Sequence, residues 1–540
     1  MGFVLKHLGF MCMVIAMVVL CSSDSSARLH PKFVSQTPSV RAVLVATGKE
    51  EDGLTSLDVR RDFGARGDGH TDDSKAFARL ADEVNRRDGG VRIVIPAGVY
   101  IVGGQTENGR DADGSVYRFD GHDGLILRSC SQPVAIEGEG ATLCLPDGLK
   151  FGTFDVAGAH LNVPLPFYDT RAAATTGYMV GAVDCVHVRI DGLELDGRNT
   201  TYQLGGGWGD KDRQCRSYGF YFDRCRNVQL SSVSAHNFGL DGLYIKRGGL
   251  HEGDPAWPHI LSDCRFEWNG RQGLSWSGGI GLKATNCVFA HTGYAQNQGG
   301  EPVYNAPGAG VDIEAEESLC RDGEFVNCQF THTRGPALYC ETGDNADVSF
   351  RGCRFWNFDN YSIVPHAPRL SFTDCEILGA AISAYSSEQM PSDGTRFTRC
   401  TFEDRADSQY GRPYSDAYAA LLAFDDLQGG VLFDSCRFLA HRVKGPFIRQ
   451  PRAGKSDGFF ITGGGMRLEH FNGPGEAIAT LQGGKIENFA VSFALLPDAP
   501  MGLHVWTNNQ TSVGPNVQVG GSGARWRAPY GEIGSIARDF

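Results

Sequence analysis

From Leu261 to Phe438 the hydrophobic positions recur as one unit: an apolar residue, a cysteine three positions later, and a second apolar residue two positions after that. The copies are Leu261/Cys264/Phe266, Ala284/Cys287/Phe289, Phe325/Cys328/Phe330, Phe350/Cys353/Phe355, Phe372/Cys375/Ile377, Phe397/Cys400/Phe402 and Phe433/Cys436/Phe438, and Phe222 with Cys225 begins a weaker one. Successive cysteines lie 23, 41, 25, 22, 25 and 36 residues apart, so a base period of 22 to 25 residues carries two long insertions. A fixed period of this size predicts a solenoid, each unit stacking its apolar face on the next.

A second strand follows each unit, as in Gly242-Leu243-Tyr244-Ile245, Gly273-Leu274-Ser275-Trp276, Gly310-Val311-Asp312-Ile313 and Ala337-Leu338-Tyr339-Cys340. Side chains alternate across a strand, which puts Leu243, Leu274, Val311 and Leu338 on an inner ladder. Tyr244, Ser275, Asp312 and Tyr339 then form an outer ladder, with Lys246, Ser277, Glu314 and Glu341 beside it. The insertions fall next to this ladder: residues 248 to 259 carry Trp257, and residues 291 to 308 carry Tyr294 and Tyr304. Beyond Leu439 the period fades into short apolar segments rich in glycine.

Upstream, Phe77, Leu80, Ala81 and Val84 are spaced for one face of a helix that Thr71 or Asp72 would cap and Gly89-Gly90 would stop. Val91 to Val102 alternates as a strand around a Pro96-Ala97-Gly98 turn. Taken together, Asp62-Phe63-Gly64-Ala65-Arg66-Gly67-Asp68-Gly69, Thr71-Asp72-Asp73 and Ile95-Pro96-Ala97-Gly98-Val99-Tyr100 resemble the opening of the pectate lyase superfamily, in its rhamnogalacturonase- and epimerase-like form. The likeness covers about 45 residues and carries no catalytic residue. It implies an all-β fold, a single-stranded right-handed parallel β-helix with a short N-terminal capping helix. The expected boundaries are 57–455 for the β-helix and 456–540 for terminal coils and a β-rich cap.

Composition agrees and narrows the partners. With 71 Gly and 23 Pro against 8 Met, the chain favours turns over long helices, and one solenoid replaces the several domains that 540 residues would otherwise suggest. A net charge of −13 without a basic cluster argues against nucleic acid. Residues 1–27 read as an export signal, with Lys6 and His7, an apolar run from Met11 to Leu20 and Ser25-Ser26-Ala27; 28–56 read as a flexible leader. The expectation is a secreted or periplasmic protein with no integral span once the signal is removed, lipid attachment at Cys21 being the lesser alternative. Sixteen cysteines in such a protein would ordinarily suggest disulfides, yet seven fill the same inward slot, which favours packed thiols. No Cys-x-x-Cys pair points to zinc.

The chemistry is expected on the outer ladder. Asp312 and Glu314 on one strand would lie roughly 6.5–7 Å apart, with Glu341 about 5 Å from Glu314 in the next coil. Carboxylates so crowded serve as an acid and base pair for glycosidic cleavage, or hold Ca²⁺ between Asp312 and Glu314. In an elimination or epimerisation route, Lys246, Arg247 and Arg271 would neutralise a uronate while Tyr244 or Tyr339 moves the proton. Trp257, Tyr294 and Tyr304 offer sugar-stacking rings. The motifs of polygalacturonase-like members and the Asp-Pro-His-Glu motif of mannuronan epimerases are absent. The sequence therefore supports an exported polysaccharide lyase or glycoside hydrolase acting on an acidic glycan, as monomer or homotrimer. The alternatives are a C5-epimerase-like enzyme and a non-catalytic glycan-binding or structural β-helix.

Overall fold

The computed structural model describes residues 53–107, 119–152, 175–205, 215–247, 259–340, 343–357, 361–379, 390–403 and 430–440, with shorter stretches between and beyond them as far as 520. The export signal, Cys21, most of the leader, Trp257 and Glu341 lie outside the described residues. Among the described residues, no helix is long and apolar enough to cross a membrane.

Three long sheets, every neighbouring pair of strands parallel, run side by side through the described chain. One coil shows the path: Asp241–Lys246 in the third sheet, His259–Ser262 in the first, Arg265–Glu267 in the second, then Gln272–Trp276 back in the third. The repeat predicted from the cysteines maps onto this path directly. Its first apolar residue lies in the first sheet, its cysteine in the following turn and its second apolar residue in the second sheet, so Phe325 pairs with Phe350 and Phe330 with Phe355. Inside, Phe325, Phe350, Phe372, Phe397 and Phe433 stack with ring centroids 4.8–5.0 Å apart. That spacing is the distance between strands, so identical residues in register become a continuous column of rings.

The turn before each cysteine is equally uniform. Asp263, Asn286, Asn327, Asp374, Arg399 and Ser435 all have left-handed backbone, which lets the chain bend sharply between the first and second sheets. Each following thiol is buried and several donate to a carbonyl one coil back, as Cys353 Sγ does to Phe325 O at 3.4 Å and Cys436 Sγ to Phe397 O at 3.4 Å. All fourteen described cysteines are free and buried. One detail differs from the sequence pattern. Phe222/Cys225 is not an early copy of this unit: Cys130, Cys185 and Cys225 occupy a second column, at the corner between the third and first sheets. The same physical device recurs there, with left-handed Ser129, Asp184 and Arg224 preceding the thiols.

The N-terminal helix, α1, spans Ser74–Asn85 and buries Ala76, Phe77, Leu80, Ala81 and Val84. Asp73, rather than Thr71 or Asp72, stands at its N-cap, and its carboxylate turns away to accept the Arg66 and Gly67 amides at 2.7 and 2.9 Å. Asp72 accepts from Ser74 N instead, and Asp68 closes its own turn with His70 and Thr71. Past residue 455, strands such as Phe459–Thr462, Gly465–Leu468 and Ala477–Leu481 add to the same three sheets in parallel register.

Candidate functional site on the outer face of the third sheet

The third sheet carries chemistry because its outward positions are not repeated. Its register confirms the predicted ladder: Tyr244 pairs with Ser275, Ser275 with Asp312, and Asp312 with Tyr339. It also extends the ladder one coil earlier, to Tyr221 opposite Tyr244. Leu243, Leu274, Val311 and Leu338 point inward, as expected. Glycine is the second residue of the strands Asp241–Lys246, Gln272–Trp276 and Ala309–Ile313 for a steric reason: a Cβ on Gly273 would come within 2.7 Å of Gly310 O, and one on Gly310 within 2.6 Å of Ala337 O.

Four tyrosines form one end of the face. Tyr178 and Tyr221 stack at 3.7 Å with planes 10° apart, Tyr178 and Tyr218 lie 5.0 Å apart, and Tyr218 and Tyr244 stack at 6.0 Å. Burial raises the phenol pKa of each; for Tyr221 it reaches about 12. At neutral pH all four rings are neutral stacking surfaces.

Beyond the tyrosines lies a charged band. Arg271 grips the fully buried Asp241 with Nε at 2.9 Å and Nη2 at 2.5 Å. Arg247 does the same to Asp223, at 2.8 and 2.5 Å. Arg224 spans Asp184 and Asp223, so that the buried Asp223 carboxylate is shared by two guanidiniums. Arg247 and Arg271 are thus held by buried aspartates rather than presented as open uronate clamps. Burial pulls the Asp241 carboxyl upward and the Arg271 guanidinium pulls it down.

Asp312 faces outward from the helix core yet is only 2% exposed. Its Oδ2 accepts from the Gln272 amide, while its Oδ1 is buried with no hydrogen-bond partner. Burial is the main cause that drives its pKa well above the carboxylate range; the charges of Glu314, Asp241 and Glu316 add to it and Arg271 opposes it. That shift favours the protonated carboxyl, and the buried Oδ1, without a hydrogen-bond partner, adds no stabilisation of the charged form. Glu314 lies just past the end of this strand, between Ile313 and Ala315, and is half-buried.

A second carboxylate reaches the site from outside the sheet. Strand Ala315–Arg321 belongs to a three-stranded side sheet with Gly279–Ile280 and Gly343–Asn345, and its register jumps between Ala315/Gly343 and Leu319/Asp344. The residues between bulge outward, as extra residues in one strand must. Ser318 seats against Gly278, where a Cβ would meet its Oγ at 2.2 Å, and exposed Glu316 reaches back to the Tyr244 hydroxyl at 3.4 Å. Glu316, Gln272 and the tyrosines Tyr178, Tyr218 and Tyr221 are absent from the residues predicted from sequence. Tyr221 was findable, because Gly219-Phe220-Tyr221-Phe222 has the same form as Gly242-Leu243-Tyr244-Ile245. Glu316 was not, since a bulge leaves no periodic trace.

Tyr339 continues the ladder and is half-buried. Tyr304 is a fastener of its own loop: it packs against Gly293 and Gly308, with Arg334 4.1 Å above its ring. Tyr294 turns back on His291 through its backbone. Among the described residues, no group of three or more His, Cys, Asp or Glu is arranged to hold a metal ion. Asp312 and Glu314 alone fall short of the six to eight oxygens that Ca²⁺ takes.

This architecture is a right-handed parallel β-helix. A family profile described as "Right handed beta helix region" matches residues 213–438. No curated protein sequence matches the chain. Among solved structures it is similar to the A-module of mannuronan C-5 epimerase AlgE4 of Azotobacter vinelandii, at 14% identity, covering 86% of this chain and 100% of that one, with a TM-score of 0.36. It is also similar to the N-terminal fragment of gene product 12 of bacteriophage Phi29, at 15% identity over 89% and 73% of the two chains, TM-score 0.49. A third is PfbA, a surface adhesin of Streptococcus pneumoniae, at 12% identity over 87% and 93%, TM-score 0.41.

Proposed function

We propose that the protein is an exported polysaccharide-active enzyme that hydrolyses a glycosidic bond on the outer face of its third sheet. The observation that carries this reading is the buried Asp312, its Oδ1 without a hydrogen-bond partner and its pKa driven upward by burial, next to further carboxylates and in line with a column of tyrosines. Hydrolysis needs one carboxylic acid to protonate the leaving oxygen and one carboxylate to activate water or attack the sugar, and these roles demand environments that push the two pKa values apart. Asp312 serves as the acid. Glu314 and Glu316 are the candidates for the second role. Elimination is less well supported, because it requires an open cation or metal beside the uronate, and Arg247 and Arg271 already hold aspartates.

A binding-only reading draws on one observation, the near-complete burial of Asp312. Incubation of the purified protein with a panel of glycans, following reducing ends and ultraviolet absorbance together, separates the readings. New reducing ends without absorbance support hydrolysis. Absorbance growth identifies a lyase, and glycan binding with neither signal identifies a binding protein.

A further inference from the structure

We infer that the glycan recognised by this face is uncharged, in place of the acidic polymer that the sequence suggests. This rests on the reading of the face as a glycan site. It deepens that reading by naming the substrate class.

The argument begins with the cations. A uronate is held most strongly by a guanidinium whose fork is open to both carboxylate oxygens. Here Arg224, Arg247 and Arg271 each offer their fork to a protein carboxylate, on Asp184, Asp223 and Asp241 respectively. Two of those carboxylates, Asp223 and Asp241, are buried, so a sugar acid would have to displace an aspartate and leave its charge uncompensated away from water. Lys246 and Arg216, the other cations beside the strands, are also engaged with partners. Across from them the exposed Glu316 leans over Tyr244 and repels an anion.

The same groups suit a neutral sugar. An ion-paired guanidinium keeps N–H groups outside its fork, and these donate to hydroxyls without a net charge being needed. The partly exposed Tyr178, Tyr218 and Tyr244 rings, packed with the buried Tyr221, present apolar surface with a polar rim, which matches the C–H face and hydroxyl edge of a pyranose. The charge pattern is internally closed, while three of the four rings keep part of their surface exposed.

The test measures binding to the full-length Asp312→Asn protein, so that turnover does not consume the ligand. The probes are galactomannan, xyloglucan and mixed-linkage β-glucan on one side, and polygalacturonate and alginate on the other, each at 50 and 500 mM NaCl. At least one neutral polymer is expected to bind tenfold or more tightly than either polyuronate, with little change at high salt. Asp223→Asn frees the Arg247 fork, while the Arg224 fork stays on Asp184, and is expected to raise polyuronate binding at 50 mM salt only. Should that variant fold poorly, Glu316→Gln, which alters an exposed side chain, is expected to raise it in the same direction by a smaller factor. Tighter binding of a polyuronate to the unaltered face, or no binding of any neutral polymer, overturns the inference. Cleavage by the unmutated protein is scored separately: neutral binding without cleavage refutes the hydrolase reading alone, and cleavage of polyuronate alone refutes this inference alone.

Discussion

Two regions of the same coils obey opposite rules. At the corner between the first and second sheets, each turn from Cys264 to Cys436 is a left-handed residue followed by a buried thiol, and the rings beside it repeat in register. On the outer face of the third sheet, the ladder runs Tyr221, Tyr244, Ser275, Asp312, Tyr339, changing character from coil to coil. The contrast separates what the fold needs from what it carries. Repetition lets every coil bury the same surface, and departures from it mark positions that are retained for chemistry at some cost in stability.

The sharpest way to test this division is to damage each side and read both stability and turnover. Phe350→Ala removes a fully buried ring from the middle of its stack and should destabilise the protein by about 3–5 kcal/mol in chemical unfolding, while a folded fraction keeps its activity per molecule. Asp312→Asn should do the reverse: turnover falls on the order of 10²- to 10⁴-fold, and the melting temperature at neutral pH rises. The sign follows from linkage. Asp312 holds its proton more tightly folded than unfolded, so its carboxyl costs stability progressively as pH rises above the ordinary carboxylate range, and the amide does not. A variant that lost stability and kept its activity would move Asp312 to the structural side.

His259 tests the boundary between the two regions, for it opens the first-sheet strand that follows Asp241–Lys246 of the third sheet. It is 2% exposed, its Nδ1 accepts the Val228 amide at 3.2 Å, and burial lowers its pKa to about 4. A folded-state pKa below the unfolded value near 6.5 means that this contribution is complete above pH 6.5 and is lost as pH falls toward 4. Unfolding at a series of pH values should show a loss of about 3 kcal/mol over that window, and His259→Gln should flatten it. The smallest effect is expected at the repeating corner. Cys375→Ser keeps a donor for Phe350 O at the same place and should cost about 1 kcal/mol, read as a small shift of the denaturation midpoint.

The fold was legible in the sequence because its physics is periodic. The Phe/Cys/Phe unit forces one register, and the Gly-apolar-polar-apolar strand sets which side faces in, so the ladder through Tyr244, Ser275, Asp312 and Tyr339 could be aligned from the residues alone. What could not be read was whether an outward side chain is exposed. Asp312 looks solvent-facing in an alternating strand, yet its neighbours bury it, and that burial rather than its position sets its proton. Likewise Arg247 and Arg271 read as available cations, because their partners Asp223 and Asp241 sit one coil away, 24 and 30 residues back, where no local pattern links them.

The seat of Ser318 against Gly278 has a consequence for how such a face changes over time. Because the side strand bulges without disturbing the three main sheets, residues 316–318 can be lengthened, shortened or recharged while every coil beneath keeps its register. The glycine works as a socket and the bulge as an exchangeable fitting, so specificity could be altered there without renegotiating the stability of the column of rings inside.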